Sequence, residues 1–464
     1  VIRGDDLLAL CRDALAEAGE SEAEICATSK QRGFARFAVG ELGQHMDLDE
    51  PSAVVRVAHG SRVAEAGTTE LDRASLVAAI RSASRAAELV PETEGFAGFA
   101  DAGAPLERVP RFETRTAQAT AEERVARLAP AIHGIRAAGL ISAGALETSS
   151  YALAVATTRG CARAHEGTCA SFKVWALETA GAGGAAGYGG HMHRDVAKLA
   201  VAEETERAIR IATLSKNPIA IDAGTYDVVM EPVAVSELLE WLAMIAFGAA
   251  EMENGTSPLA GHLGERITGA GISLTEAPND PTEHGFAAPF DREGTARRSV
   301  TLVEGGVARG ALYDRTYGAR AGVASTGSAL IPDSSLVAAI GPSALHMNGG
   351  DAASVDELVA GVERGLYVCR LHYVNGLIEP RRAVMTGLTR DGCFLVEHGK
   401  ITRAVGNLRF TDSLLEGLTR CDGRTRALAA VPTSWTDAGA CVVPAVRMRA
   451  FKFNGRSQEK AKLQ

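Results

Sequence analysis

Aromatic side chains are scarce in this sequence, at 5% of 464 residues, so the core must be built mostly from Ala, Val, Leu and Ile. Lysine is scarce too, 8 residues against 40 arginines, and with abundant Ala and Gly that bias reads as high-GC coding. No run of about 18 uninterrupted apolar residues is present, which argues against a membrane-spanning helix. The opening residues, Val1-Ile2-Arg3-Gly4-Asp5-Asp6, have no apolar h-region and are not read as a signal peptide. There is no long basic run, and the formal net charge is −9; phosphate binding needs clustered positive charge, so nucleic acid is not an expected partner. None of the eight cysteines forms a C-x-x-C pair, and several, such as Cys26, Cys369 and Cys393, sit in apolar runs. They read as small buried hydrophobes of a reduced, cytoplasmic protein. No G-K-[ST] follows the glycines at Gly181 to Gly184, and no G-x-S-x-G elbow occurs, so neither a phosphate loop nor a hydrolase nucleophile turn is expected.

What is present is a chain long enough for two or three domains, with 46% hydrophobic and 23% charged residues. Leu7, Leu10, Cys11, Ala14, Leu15 and Ala18 follow helical spacing and predict an amphipathic helix over 5–19, stopped at Gly19. From about 22 to 67 the pattern changes to short extended runs with Gly or Pro between them, which suggests antiparallel strands. A second helix is predicted over 72–90, with Leu76, Ala79, Ile80, Ala83 and Ala87 on one face. Residues 91–112 carry three prolines and read as a connector. Thr120 and Glu123 have the spacing of a capping box, and Pro130 should kink or interrupt the helix they open. Strands follow over about 141–177, then a glycine-rich loop at Gly181 to Gly190 and a fourth helix over about 194–214. Asn217-Pro218 breaks the chain, and the main boundary is placed there.

Beyond 220 the sequence is mostly extended, with one helix expected at about 233–250 and turn signals recurring at Asp291 to Gly294, Asp391-Gly392 and His398-Gly399. Gly387 to Ile401 reads as a hairpin with Phe394-Leu395-Val396 between two Gly turns. The expected fold class is α+β. An α/β N-terminal region (1–112, with a middle segment 113–217 packed on it) with antiparallel sheet and helices precedes a large β-rich, barrel-like or sandwich-like domain (218–456). Residues 457–464 form a polar tail.

An ordered series of short motifs gives the sequence a resemblance. Gly224-Thr225-Tyr226-Asp227-Val228-Val229, Asp291-Arg292-Glu293-Gly294, and Leu312-Tyr313-Asp314-Arg315 followed by Ser325-Thr326-Gly327 come first. Gly365-Leu366-Tyr367-Val368, Thr386 to Gly392, Asn407-Leu408-Arg409-Phe410 and Val442-Val443-Pro444-Ala445 follow in order. Gly60-Ser61-Arg62-Val63 leads into a matching strand–helix unit in the N-terminal half. Together they resemble the TldD/PmbA family (the modulator of DNA gyrase family), and the ending resembles its PmbA, or TldE, branch.

That resemblance implies a heterodimer of a TldD-type and a PmbA-type chain that degrades or trims peptides. TldD-type chains carry H-E-x-x-x-H on a helix just after the Gly-Thr-Tyr strand, where two His present nitrogens to one zinc and the Glu can polarise a bound water. Here that helix reads Leu238 to Phe247 with Trp241, Leu242 and Ala246 near the motif positions, and no His occurs between His193 and His262. The resemblance therefore implies a subunit without a metal of its own, zinc on a TldD-like partner, and a cleft for an extended peptide. An alternative implication is a TldD/TldE-like pair turned to amide-bond chemistry on a natural-product biosynthetic intermediate, which high-GC composition fits. As cleft or partner residues the resemblance points to Asp314, Arg315, Ser325, Thr326 and Gly327. Asp314-Arg315 ends an apolar run, Val307 to Tyr313, read as a strand. The two form either a structural ion pair or a site where Arg315 anchors a loop or a peptide carbonyl.

Other fragments tempt a metal reading. His191-Met192-His193 places two imidazoles on one face if extended, and is otherwise a solvated loop. Cys161, His165, Glu166 and Cys169 match no standard zinc spacing and favour strand packing. His262 and His284 either flank a loop near the inter-subunit cleft or are plain surface residues, and Cys441, without His co-ligands, reads as a buried strand cysteine.

Overall fold

The computed structural model describes residues 2–106, 109–179, 184–330, 339–432 and 440–456; the predicted tail 457–464 lies outside them. Helix α1 (Gly4–Leu15) is followed by a 3-10 turn that ends at Gly19. Three strands, β1 (Glu22–Ala38), β2 (Glu41–His59) and β3 (Arg62–Thr68), lead to α2 (Arg73–Ala87). Asp72 caps α2 by accepting from Ser75 N. After the short α3 (Thr114–Ala117) comes α4 (Ala121–Ala137), opened by the Thr120–Glu123 capping box. Strands β4 (Ile141–Thr157), β5 (Ala162–Leu177) and β6 (Ala186–His193) and helix α5 (Val201–Leu214) complete this half. The six strands form one antiparallel sheet in the order β3-β2-β1-β4-β5-β6.

Several expectations need correction here. The extended runs of 22–67 are not short: β1 has 17 residues and β2 has 19. Pro51 is tolerated inside β2 because β3 pairs only with Ala53 to His59, so among the described residues β2 has no strand on that side beyond them. Pro130 does not interrupt α4, whose Leu128, Ala131 and Ile135 are buried on the sheet around it. Half of the expected glycine-rich loop is β6, and its glycines serve packing. A Cβ at Gly187 would lie 2.1 Å from Ala208 O, and one at Gly189 2.1 Å from Glu204 O, so bare backbone lets α5 lie directly on the strand.

The rest of the chain begins with β7 (Gly224–Met230), α6 (Pro232–Ala246) and α7 (Ala249–Glu253), so the single helix expected at 233–250 is two, broken at Phe247-Gly248. Next come β8 (Leu274–Glu276), β9 (Val300–Glu304), β10 (Val307–Ala308), α8 (Arg315–Ala321), β11 (Leu345–Met347) and α9 (Val355–Ala360). Then follow β12 (Arg364–Glu379), β13 (Val384–Glu397), β14 (Lys400–Ala404), β15 (Leu408–Ser413) and α10 (Leu414–Thr419). The last strands are β16 (Cys421–Arg424), β17 (Ala429–Pro432), β18 (Ala440–Val443) and β19 (Val446–Arg456).

Strands β12-β7-β19-β15-β13 pair in sequence, and β12 also pairs with β13, so the sheet closes into a barrel. A second sheet, β10-β9-β8-β11-β18-β17, shares one apolar core with the barrel and α6. The α+β class and the barrel-like C-terminal part are as expected. Short helices α8 to α10 were not. The expected hairpin at Gly387 to Ile401 is also different. Strand β13 runs through Asp391-Gly392 as a bulge, and the chain turns only at His398-Gly399.

Gly189→Val is expected to destabilise the fold by about 1–3 kcal/mol, because the new side chain meets the α5 backbone rather than a movable group. Denaturant midpoints of variant and parent check this, and an unchanged midpoint would contradict the close packing of α5 on β6.

Candidate functional site

The N-terminal sheet has two faces with different fates. Side chains alternate along a strand, and Ala35, Phe37, Leu146, Phe172, Val174 and Ala176 pack under α4 and α5. The alternate set on the other face divides in two. At one end, Cys26, Leu153 and Val155 are covered by Phe290. At the other, Arg36, Ala145, Lys173 and Trp175 are left to line a cavity of about 980 Å³ against the barrel.

The covered end is a polar clamp. Arg56 Nε donates to Glu24 Oε1 at 2.8 Å and its Nη2 to Glu293 Oε1 at 3.0 Å, and all three side chains are largely buried. Burial pushes the Glu24 carboxyl up, and Arg56 pulls against it. Arg292 pairs with Glu65 at 3.0 Å. Asp291 holds the turn from inside: Oδ1 accepts from Glu293 N and Thr295 N, and Oδ2 from Ala329 N.

The five residues singled out from the sequence belong to this clamp, and none of them lines the cavity. Asp314 and Arg315 do not pair with each other, and Val307 to Tyr313 is not one strand. Asp314 is the N-cap of α8, its Oδ1 accepting from Tyr317 N at 2.7 Å. Arg315 does anchor a loop: its guanidinium donates to the carbonyls of Gly98 and Phe99 at 3.1–3.2 Å, while its backbone N donates to Glu293 Oε2. Ser325 and Thr326 donate to Tyr313 O, and Thr326 Oγ1 accepts from Tyr313 N. Gly327 has φ +70°, and a Cβ there would meet Ala296 O at 2.4 Å.

The open end holds the cleft. Its far wall comes from β12 and β13. The bulge places Asp391 at φ +49° and Gly392 at φ +122°, where a Cβ would strike Cys369 Sγ at 2.7 Å. This aims the Asp391 carboxylate across the cleft, where Oδ2 accepts from Trp175 Nε1 at 3.0 Å and from Arg370 Nη1 at 2.6 Å. The Arg370 guanidinium lies 4.9 Å from the Tyr188 ring centroid and 5.6 Å from that of Trp175. Lys173, Trp175 and Arg370 also border a small recess of about 60 Å³ closed by Ser236, Glu237 and Glu240 of α6. Val233 and Val431 lead from it to a third depression of about 270 Å³. The three line up as one cleft between the sheet and the barrel.

The third depression contains His191, His193, Glu204, Glu231 and His284. His191 and His193 are not on a solvated loop but on the edge strand β6. His193 Nδ1 accepts from Asp195 N at 2.8 Å, and burial lowers both imidazole pKa values. Glu231 contacts Arg207 and the Tyr367 hydroxyl. Cys161, His165, Glu166 and Cys169 do not converge: Glu166 Oε1 accepts from Gly4 N, Cys161 sits under Gly294, and burial pushes His165 down to about 4. His262 pairs with Glu265 at the surface. Cys441 is a buried β18 residue, and burial raises its thiol pKa. Among the described residues no group of three or more His, Cys, Asp or Glu is placed to hold a metal ion.

Residues 223–455 match the PmbA/TldA metallopeptidase C-terminal domain. A protein of Methanothermobacter thermautotrophicus named a metalloprotease is 27% identical over 221 residues, 47% of this chain and 46% of that protein. An uncharacterized protein of Methanocaldococcus jannaschii is 35% identical over 130 residues, 28% of this chain and 30% of that protein. The chain thus spans less than half the length of these curated relatives. The crystal structure of TldE from Thermococcus kodakarensis has a TM-score of 0.85 at 20% identity, over 97% of this chain and 99% of that one, and establishes likeness of fold.

Burial, with Glu293 nearby, pushes the Asp314 carboxyl up to about 6. A raised carboxyl pKa means the folded state binds the proton more tightly than the unfolded chain. This contribution to stability is fully present below about pH 4 and is lost as pH rises through about 6. Asp314→Asn keeps a good N-cap without the charge. The variant is expected to lose part of the parent's decline in stability between pH 4 and 6, measured by denaturant midpoints. An identical pH slope in both proteins would contradict it.

Proposed function

The chain belongs to the PmbA/TldD family, and from that membership we propose that it is the non-zinc-binding subunit of a TldD/TldE-like heterodimeric metallopeptidase, shaping a cleft for extended peptides. One observation carries the reading. Helix α6, directly after the Gly-Thr-Tyr strand β7, carries Trp241, Leu242 and Ala246 about where zinc-bearing chains of the resembled family carry their motif residues, and all three are buried in the apolar core. The donor set does not fit zinc. An indole and two aliphatic side chains at those positions offer no zinc ligand, and Ser236, Glu237 and Glu240, which border the recess on the same helix, add no imidazole. The proposal therefore assigns the metal, and the bond-breaking step, to a TldD-like partner.

The cleft supports peptide binding in two ways. It is a run of three adjoining depressions rather than one closed pocket, extending from the β1 end of the sheet to β6. Strand β6 is also the last in its sheet among the described residues; Glu204 and Arg207 hold Gly190 N and Tyr188 O, and the strand beyond Gly190 is where main-chain groups can meet an extended chain. Such recognition reads the backbone and suits unstructured peptides. No feature of the cleft favours the alternative of amide chemistry on a natural-product intermediate.

The tag-free chain alone is expected to hold no stoichiometric zinc and to cleave no peptide. Co-expressed with a TldD-like chain, it should co-purify as a zinc-containing complex that cleaves unstructured peptides. Metal analysis and a cleavage assay on both preparations decide this. Near one zinc per chain on the isolated protein, surviving mild chelation, would overturn the assignment.

A further inference from the structure

The cavity wall is charged against the sign of the chain. The protein carries a formal net charge of −9, yet the cavity of about 980 Å³ is lined by Arg32, Arg36, Lys173, Arg370 and Arg390 against Glu147 and Asp391. Most of these charges are engaged. Arg32 pairs with Glu50 at 2.8 Å and lies 3.9 Å from Glu147. Arg370 pairs with Asp391 at 2.6 Å, and Arg390 lies 3.8 Å from the same carboxylate. Arg36 and Lys173 differ: among the described residues, neither side chain has an ion-pair or hydrogen-bond partner.

Their placement is fixed by strand register. Arg36 of β1 stands opposite Ala145 of β4, and Ala145 stands opposite Lys173 of β5, which in turn faces Gly190 of β6. One row across the sheet therefore reads Arg, Ala, Lys, Gly. Neighbouring strands are about 4.8 Å apart, which puts the Arg36 and Lys173 backbones about 10 Å apart with only a methyl group between them. Long cationic side chains on both flanks of an alanine leave a gap that an anionic group can fill from above. A guanidinium offers a planar fork matched to a carboxylate, and an ammonium adds a point charge from the other side. Glu147 does not fill this place. It lies one row away, opposite Phe34 and Ser171, on the side of Arg32.

We propose that Arg36 and Lys173, flanking Ala145 on the cleft floor, form a subsite for a carboxylate of an extended peptide. The protein then favours acidic peptides over neutral ones. This inference rests on the peptide-cleft reading above. The carboxylate has two possible sources, an acidic side chain or the peptide's C-terminus, and both present the same group.

Fluorescence anisotropy with three labelled peptides of one length separates the outcomes. The first is blocked at both ends with a central Glu, the second is the same with Gln, and the third carries Gln and a free C-terminal carboxylate. Each is titrated with the full chain, alone and in its complex with the partner subunit. At least one acidic peptide is expected to bind about tenfold tighter than the blocked Gln peptide, as a charge-assisted hydrogen bond implies. Whichever acidic peptide does so identifies the source. That ratio should fall to near one in R36Q/K173Q and persist in R36K/K173R, with thermal midpoints confirming that both variants are folded. Equal binding of all three peptides would overturn the carboxylate subsite and leave the peptide cleft standing. A preference surviving in R36Q/K173Q would overturn its assignment to these residues. Binding of no peptide to either preparation would remove the cleft reading, and this subsite with it.

Discussion

The arrangement of the molecule depends on one buried charge contact, Arg56 held between Glu24 and Glu293. A buried ion triad is weak evidence for stability, because desolvating three charges offsets most of what their attraction returns. Its consequence here is orientation. Glu24 and Arg56 stand on adjacent strands of the N-terminal sheet, and Glu293 is on a turn more than two hundred residues later. An apolar contact at that point would tolerate sliding; a guanidinium with two carboxylates does not. Arg315 extends the same constraint, since its backbone N donates to Glu293 while its side chain holds the Gly98–Phe99 carbonyls. Arg56 also lies 5.3 Å from the Phe99 ring centroid, so the connector, the sheet and the β-rich part meet at one place.

With one end of the sheet face fastened, the other end stands open because of what its residues lack. Ala143, Ala145 and Gly190 contribute almost no side-chain volume to the floor. The Arg370 guanidinium between Tyr188 and Trp175, with Asp391 binding both Arg370 and Trp175, spans the gap near β6. This contact joins the two walls at the boundary that the wide basic cavity shares with the recess below α6. Small residues make the space, and the aromatic–guanidinium contact sets its limit.

Local signals were legible in the sequence and long-range register was not. The capping box at Thr120 and Glu123 and the apolar faces of α1 and α2 depend only on neighbours within a turn, and both formed as the spacing predicts. Asp391-Gly392 shows the opposite case. The same dipeptide suits a hairpin turn and a bulge because both need positive φ, and only the pairing of Val368 with Cys393 and of Arg370 with Arg390 decides between them. Gly187 and Gly189 read as loop because a glycine that admits a helix backbone looks, in sequence, like one that admits a turn. The cleft residues come from β1, β4, β5, β12 and β13, and no spacing along the chain announces that Arg36, Ala145 and Lys173 share a row. The motifs most visible in sequence, Asp291 to Gly294 and Asp314-Arg315 with Ser325 to Gly327, became the fastening. Their capping carboxylates and positive-φ glycine are local features and legible, whereas the contacts of Glu293 with Arg56 and of Arg315 with Gly98 and Phe99 span more than two hundred residues and are not.

The two ends of that one sheet face divide the work physically. A fastening needs desolvated, engaged polar groups, because water would loosen them, and the clamp residues Glu24, Asp291 and Glu293 are almost completely buried, with Glu24 Oε2 alone among their carboxylate oxygens lacking a hydrogen-bond partner. A binding wall needs the reverse: groups that remain hydrated and uncommitted until a ligand arrives, so that little is lost on exchanging water for substrate. Arg36 is exposed and Lys173 half-buried, on the same sheet face as the clamp and about ten residues along β1 and β5 from it. Strand alternation alone puts both sets on one surface. Burial at one end and solvation at the other then decide which residues hold the protein together and which are left to hold something else.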